Sequence, residues 1–205
     1  MNHKDITIFI IDDDPAVRDS LSLMLQQDDY RICSFESGDA FIAACNPDSQ
    51  GCAIVDIRMP GMDGIQLQEE MIRRRMQIPV IFLTAHGDIP KSVKAMKAGA
   101  VDFLTKPVTR KDLLAALQTA GKKLEQIRTS TANHLQAKSL LDALTERERQ
   151  VTALAILGHS NKEIARKLGI SHRTIEIHKS NIMKKTGALN LLELAKLAHD
   201  GGLSN

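Results

Sequence analysis

The stretch Ile6-Thr7-Ile8-Phe9-Ile10-Ile11-Asp12-Asp13-Asp14 is apolar at nearly every position and then turns abruptly acidic. Side chains of a strand alternate between two faces, so a run that is apolar on both faces needs both covered, as in a parallel sheet packed between helices. Residues 6–11 therefore read as a buried parallel strand, with the aspartates just past its C-terminal end. Working outward, short runs of the same kind recur at 30–35, 52–55, 80–83 and 101–104. Helical patterns separate them. Residues 16–27 carry Val17, Leu21, Met24 and Leu25 at helical spacing; 40–45 and 64–75 come next; 90–98 stops at Gly99. A last helix opens near Thr109 and sets Leu113, Leu117, Ala120, Leu124 and Ile127 on one face. Five strands alternating with five helices predict an α/β module, a doubly wound five-stranded parallel sheet.

Beyond it the pattern changes. Residues 123–142 are polar, with Arg128-Thr129-Ser130-Thr131 and Asn133-His134, and read as a linker that continues the last helix. From Thr145 the chain is helical throughout. Thr145-x-x-Glu148 and Ser160-x-x-Glu163 are capping boxes, Ser171 caps a third helix with Ile175, His178 and Ile182 inward, and Gly158, Gly169 and Gly187 stop successive helices. A fourth helix covers 191–198. Helix, short turn, helix is the helix-turn-helix pattern. The expected organisation is 1–122, an α/β domain; 123–142, a linker; and 143–205, an all-α domain.

Composition narrows the classes. Of 205 residues, 43% are apolar and 25% charged, enough for ordinary cores, whereas 3% aromatic with no Trp disfavours an aromatic-cage or carbohydrate surface. Cys33, Cys45 and Cys52 are an odd, thin count that gives no disulfide framework and suits a reducing cytoplasm. No apolar run approaches the ~20 residues of a membrane span, and the N-terminal stretch has no cleavage pattern, so a secreted or membrane-spanning protein is not expected. Residues 1–120 hold 13 Lys/Arg against 17 Asp/Glu, whereas 121–205 hold 14 against 8. An acidic module joined to a basic one hints at a nucleic-acid-binding second half, with chance scatter the bland alternative.

The polar residues of the first module share one feature. Asp12 and Asp13 come directly after the first strand, Asp56 ends the third, Thr84 ends the fourth, and Lys106 lies just past the fifth. C-terminal strand ends form one rim of a parallel sheet, where ligands bind. Carboxylates crowded there repel unless a cation sits among them, and Mg²⁺ prefers a few carboxylates plus a phosphate. The pattern points to Mg²⁺ and a phosphoryl group, with Asp56 the nucleophile, Lys106 neutralising charge and Thr84 donating its hydroxyl. Taken singly, each residue has a plainer reading: Asp13 or Asp14 as a helix cap, Thr84 as a strand end, Lys106 as a solvated charge. The joint placement favours the site.

These residues, with Thr84-Ala85-His86-Gly87-Asp88, Met96-Lys97-Ala98-Gly99-Ala100-Val101-Asp102-Phe103 and Lys106-Pro107, resemble a two-component response-regulator receiver domain over residues 1–122. Residues 143–205 resemble the LuxR-class helix-turn-helix domain, and the pairing resembles the FixJ subgroup (NarL/FixJ type). The resemblance implies a flavodoxin-like receiver in which Asp56 is the phosphoacceptor. Asp12 and Asp13, helped by the backbone carbonyl of Arg58, would hold Mg²⁺; Thr84 and Lys106 would bind phosphoryl oxygens. It further implies a cis Lys106-Pro107 bond, Phe103 as a switch aromatic moving with Thr84, and Arg58 and His86 as positions that tune phosphate lifetime. The implied partners are a sensor histidine kinase, promoter DNA, RNA polymerase and, once phosphorylated, a second copy meeting around Val93, Met96, Lys97, Val101 and Asp102.

In the second half, residues 162–185 hold seven basic residues against Glu163 and Glu176, the balance expected for phosphate contacts. The third helix is the candidate recognition helix. With Ile175 and Ile182 inward, Arg173, Glu176, Ile177, Lys179, Ser180 and Lys184 turn outward. Glu176 suits a cytosine amino group, Ile177 a thymine methyl and Ser180 either partner role. Lys179, Lys184 and Lys185 suit phosphates, His178 a half-buried structural place, and Thr174 resembles a family position packed near the backbone. The family often carries a basic residue where Glu176 stands and another where Leu189 or Leu191 stands, which unsettles the phosphate contacts rather than the fold. A transcription regulator that is not an enzyme is the preferred reading. The alternatives are an aspartyl-phosphate phosphatase, disfavoured by the lack of a cap-forming insertion; an acyl-homoserine-lactone sensor, disfavoured by the acidic strand ends; and a DNA binder with a degenerate receiver.

Overall fold

The computed structural model describes residues 6–26, 28, 30–84 and 96–203. Its elements are β1 (Thr7–Ile11), α1 (Pro15–Gln26), β2 (Arg31–Phe35), α2 (Gly38–Ala44), β3 (Gly51–Asp56), α3 (Gly64–Arg73), β4 (Val80–Thr84), β5 (Asp102–Thr105), α4 (Arg110–Asp142), α5 (Glu146–Ile156), α6 (Asn161–Leu168), α7 (His172–Thr186) and α8 (Leu191–Asp200). Most of the helix expected over 90–98 lies outside the described residues; Met96 and Lys97 are helical, and Ala98 and Gly99 form the turn that follows, Gly99 at φ 96°.

The strands form one five-stranded parallel sheet in the order β2-β1-β3-β4-β5. This is the flavodoxin-like order, in which the chain reverses direction of winding beside β1. The two-sided apolar runs have the purpose inferred for them. Phe9, Ile11, Ala53, Val55, Val80 and Phe82 pack on one face with Phe41 and Ile42 of α2 and Ile65, Leu67 and Met71 of α3. Ile8, Ile10, Cys52, Ile54, Ile81 and Leu83 pack on the other with Leu21 and Leu25 of α1 and Leu113, Leu117 and Leu124 of α4. Odd and even positions of each central strand thus feed different cores, as the period of two requires. The three cysteines are free.

The chain divides into two compact units, Met1–Ile127 and Arg128–Asn205. Residues 123–142, read as a polar linker continuing the last helix, are helical; Leu141 belongs to the C-terminal core and Ala137 is buried. In the C-terminal unit Val151, Ala155, Ile164, Ile175, Ile182 and Leu194 close a small helical core. Both capping boxes form, and Gly169 and Gly187 end their helices in the left-handed conformation at φ 66° and 74°.

Candidate functional site

The register builds the rim of the N-terminal unit. Ile11 lies opposite Val55, so Asp12 and Asp56 emerge side by side; Thr84 lies opposite Thr105, so Lys106 emerges beside Thr84. Asp12, Asp56 and Thr84 are buried, Asp13 is exposed, and Lys106 is half-buried. One carboxylate oxygen from each of Asp12, Asp13 and Asp56 lies within 4.8 Å of the others. Lys106 Nζ donates to Asp12 Oδ2 at 2.7 Å and sits 3.1 Å from Asp56 Oδ1. Its backbone amide donates to the Thr84 carbonyl at 2.8 Å, and the Lys106-Pro107 bond is cis.

Burial pushes the Asp56 carboxyl above its ordinary range, and the charge of Asp12 adds to this. The bond and charge of Lys106, with a backbone bond from Arg58, oppose it without cancelling it. Burial works against the Lys106 ammonium as well, but its bonds to Asp12 and Asp56 prevail and hold it above the usual lysine value. Two carboxylates and an ammonium this close form a mutually dependent set.

Neighbouring elements hold the rim in shape. Asp14 accepts from the Ala16 amide at 2.8 Å and caps α1, its plainer role, with Pro15 in the first turn. Gly64 starts α3 so close to β3 that a Cβ there would meet the Asp56 carbonyl oxygen at 2.3 Å; only glycine fits. Phe103 is half-buried and stacks on Phe82 at 5.2 Å between centroids. Sequence reasoning missed Arg18 of α1, whose Nη1 donates to the carbonyl oxygens of Asp12 at 2.7 Å and Asp13 at 3.0 Å. Its place one turn into the helix after the aspartates was the available signal. His86 and Val93 lie outside the described residues; Met96 and Lys97 are exposed, and Val101 and Asp102 are half-buried.

On α7, Ile175 and Ile182 are buried, His178 and Thr174 are half-buried, and Arg173, Glu176, Ile177, Ser180 and Lys184 are exposed. Lys179 is half-buried. Thr174 shares a 2.7 Å bond with Ser171, and Glu176 Oε1 lies 3.6 Å from His172 Nδ1. Lys185 differs from the rest: its Nζ donates at 2.7 Å to Glu148 Oε2, the buried carboxylate of the first capping box. Sequence spacing could not reveal a pair 37 residues apart.

Residues 8–118 match the response regulator receiver domain, and residues 142–198 match the bacterial regulatory proteins of the luxR family. The chain is 42% identical over 198 residues, 97% of each chain, to the transcriptional regulatory protein FixJ of Bradyrhizobium diazoefficiens. It is 39% identical to the response regulator protein TmoT of Ectopseudomonas mendocina, over 96% of this chain and 90% of that one. Among solved structures it resembles the response regulator StyR, with TM-score 0.77, 40% identity, and 94% and 98% of the two chains covered. Full-length FixJ from B. japonicum is also similar, with TM-score 0.59, 42% identity, and 97% and 98% covered. No helix among the described residues is long and apolar enough to cross a membrane. An acidic pocket at the strand ends of a receiver, joined to a LuxR-type DNA-binding domain, makes this chain a member of the two-component response regulators, a DNA-binding transcription regulator of the FixJ type.

Proposed function

We propose that Asp56 accepts a phosphoryl group from the phosphohistidine of a sensor histidine kinase, and that this acylphosphate switches promoter binding by the C-terminal domain. The observation that carries the proposal is the convergence of Asp12, Asp13 and Asp56 within 4.8 Å, with Lys106 reaching two of them. An all-oxygen donor set of this size suits a hard divalent cation, and Asp12, Asp13 and Asp56 are the residues that would hold Mg²⁺. When bound, Mg²⁺ neutralises charge on the phosphoryl oxygens. An Asp56 oxygen forms the new bond to phosphorus while the P–N bond breaks and its electron pair leaves with the imidazole. Lys106 and the Thr84 hydroxyl take the remaining phosphoryl oxygens, which is positioning and charge stabilisation rather than acid–base chemistry.

Movement of Thr84 toward the phosphoryl group draws Phe103 inward from its half-buried place, biasing a two-state receiver. The phosphorylated chain dimerises through the surface around Val93, Met96, Lys97, Val101 and Asp102 and releases the DNA-binding domain. Functionally, 1–122 is the receiver, 123–142 the helical connection and 143–205 the DNA-binding domain. The protein works in the cytoplasm, where it meets the kinase, promoter DNA and RNA polymerase, and it turns over no substrate in the manner of an enzyme. In the major groove Glu176, Ile177 and Ser180 face base edges from the outward face that Arg173 shares, and Lys179, Lys184 and, on its exposed side, Lys185 meet phosphates, with Thr174 against the backbone.

The test is to label the full chain with a small phosphodonor and Mg²⁺ and to measure promoter binding on the same samples before and after labelling. Tighter binding by the labelled chain is expected; equal binding overturns the coupling. The two adjacent lysines of α7 are expected to separate in a further measurement. Lys184→Ala should weaken DNA binding evenly across sequences and lower the salt slope by about 1. Lys185→Ala should instead act first on thermal stability, because its ammonium is held by Glu148.

A further inference from the structure

We infer that Arg18 is a positioning residue of the phosphorylation site, fixing the acidic loop so that the Asp13 carboxylate can serve a divalent cation. The inference rests on the proposed pocket and extends it to a residue outside the rim. Asp12 is anchored at four places. Its amide donates to the Phe35 carbonyl at 3.2 Å, Oδ1 accepts from the Asp14 amide at 3.0 Å, Oδ2 accepts from Lys106 at 2.7 Å, and its carbonyl accepts from Arg18 at 2.7 Å. Asp13 is exposed, and Arg18 grips its carbonyl at 3.0 Å. A single guanidinium nitrogen, carried on the rigid scaffold of α1, therefore holds two consecutive carbonyls through its two N–H bonds. With both carbonyls turned toward α1, the peptide plane between Asp12 and Asp13 is set, and with it the direction in which Asp13 leaves the chain.

Two effects of removing Arg18 have opposite signs, which makes the inference decidable. Loss of a nearby positive charge would strengthen cation binding, but Arg18 is half-buried and meets Asp13 on the exposed side, where solvent screens part of its charge. Loss of the residue that orients a ligand weakens metal binding, typically 10–100-fold. Orientation should win.

The experiment is calorimetric titration of Mg²⁺ into the full chain, without phosphodonor, for the native protein, Arg18→Gln, Asp13→Asn and the double variant, each checked for native circular dichroism. Arg18→Ser serves in place of Arg18→Gln should the latter fail to fold. Expected are a Mg²⁺ dissociation constant raised about tenfold in Arg18→Gln and little further rise when the change is made on Asp13→Asn, since both act through one ligand. Labelling by a small phosphodonor should recover at saturating Mg²⁺. Unchanged or tighter Mg²⁺ binding in folded Arg18→Gln, or full additivity with Asp13→Asn, overturns the role of Arg18 while leaving the pocket standing. A native chain that takes up no Mg²⁺ overturns the pocket and this inference together.

Discussion

The Asp56→Asn protein is expected to take up no phosphoryl group from a small phosphodonor under conditions that label the native chain. The substitution keeps the shape of the side chain and removes the anionic oxygen that must form the bond to phosphorus. It also takes a ligand from the acidic pocket, so Mg²⁺ affinity should fall in the same protein. Its effect on folding should run the other way. Burial raises the Asp56 carboxyl above its unfolded value, so this group favours the folded state fully only below about pH 3.9. That contribution is lost as pH rises through the folded value. In metal-free buffer the asparagine protein should therefore gain stability over the native chain as pH climbs from about 4, and the gap should level off above the raised value. Denaturant midpoints across that range measure it. Labelling that persists in Asp56→Asn would move the phosphoacceptor elsewhere.

Glu148→Ala is expected to destabilise the C-terminal unit by roughly 2–4 kcal/mol, the sum of a lost reciprocal cap and a lost charge-assisted bond. Glu148 is buried, accepts from the Thr145 amide and hydroxyl at 2.8 and 2.9 Å, and receives Lys185 at 2.7 Å. Burial works against the carboxylate, but Lys185 and Thr145 together outweigh it and hold the group below the usual glutamate range. The sign is opposite to that of Asp56. A depressed folded value means the stabilisation is present above the unfolded value of about 4.3 and is lost as pH falls through the folded one. Hydrogen exchange of amides in α5 and α7 should show native protein and Glu148→Ala converging in acid and diverging toward neutrality. A variant as protected as the native chain at neutral pH would show that Lys185 and the cap contribute little.

The α/β module was legible because its physics is local. Runs such as 6–11 and 80–83 are apolar on both faces, and only a covered parallel sheet uses them. Strand-end position then placed Asp12, Asp56, Thr84 and Lys106 on one rim before any distance was known. What stayed hidden depends on contacts that no period records. The grip of Arg18 on two carbonyls is made by backbone acceptors that every residue carries. The Lys185–Glu148 pair joins helices far apart in sequence, so Lys185 read as one more basic residue of α7. Ala137 and Leu141 went unrecognised as core because the polar run 128–134 before them marked the stretch as a linker, although Ala137, Leu140, Leu141 and Leu144 keep helical spacing.

The alternation along β1 has a consequence for how this chemistry can change. Ile8 and Ile10 fill one layer while Phe9 and Ile11 fill the other, and the acidic pair is next in line. Insertion or deletion of one residue within that strand would swap the occupants of both layers and carry the aspartates away from their partners at once. Substitutions can be tolerated there, but the number of residues between the paired positions of β1 and Asp12 cannot change without losing this register. The spacing is thus as much a determinant of signalling as the carboxylates themselves.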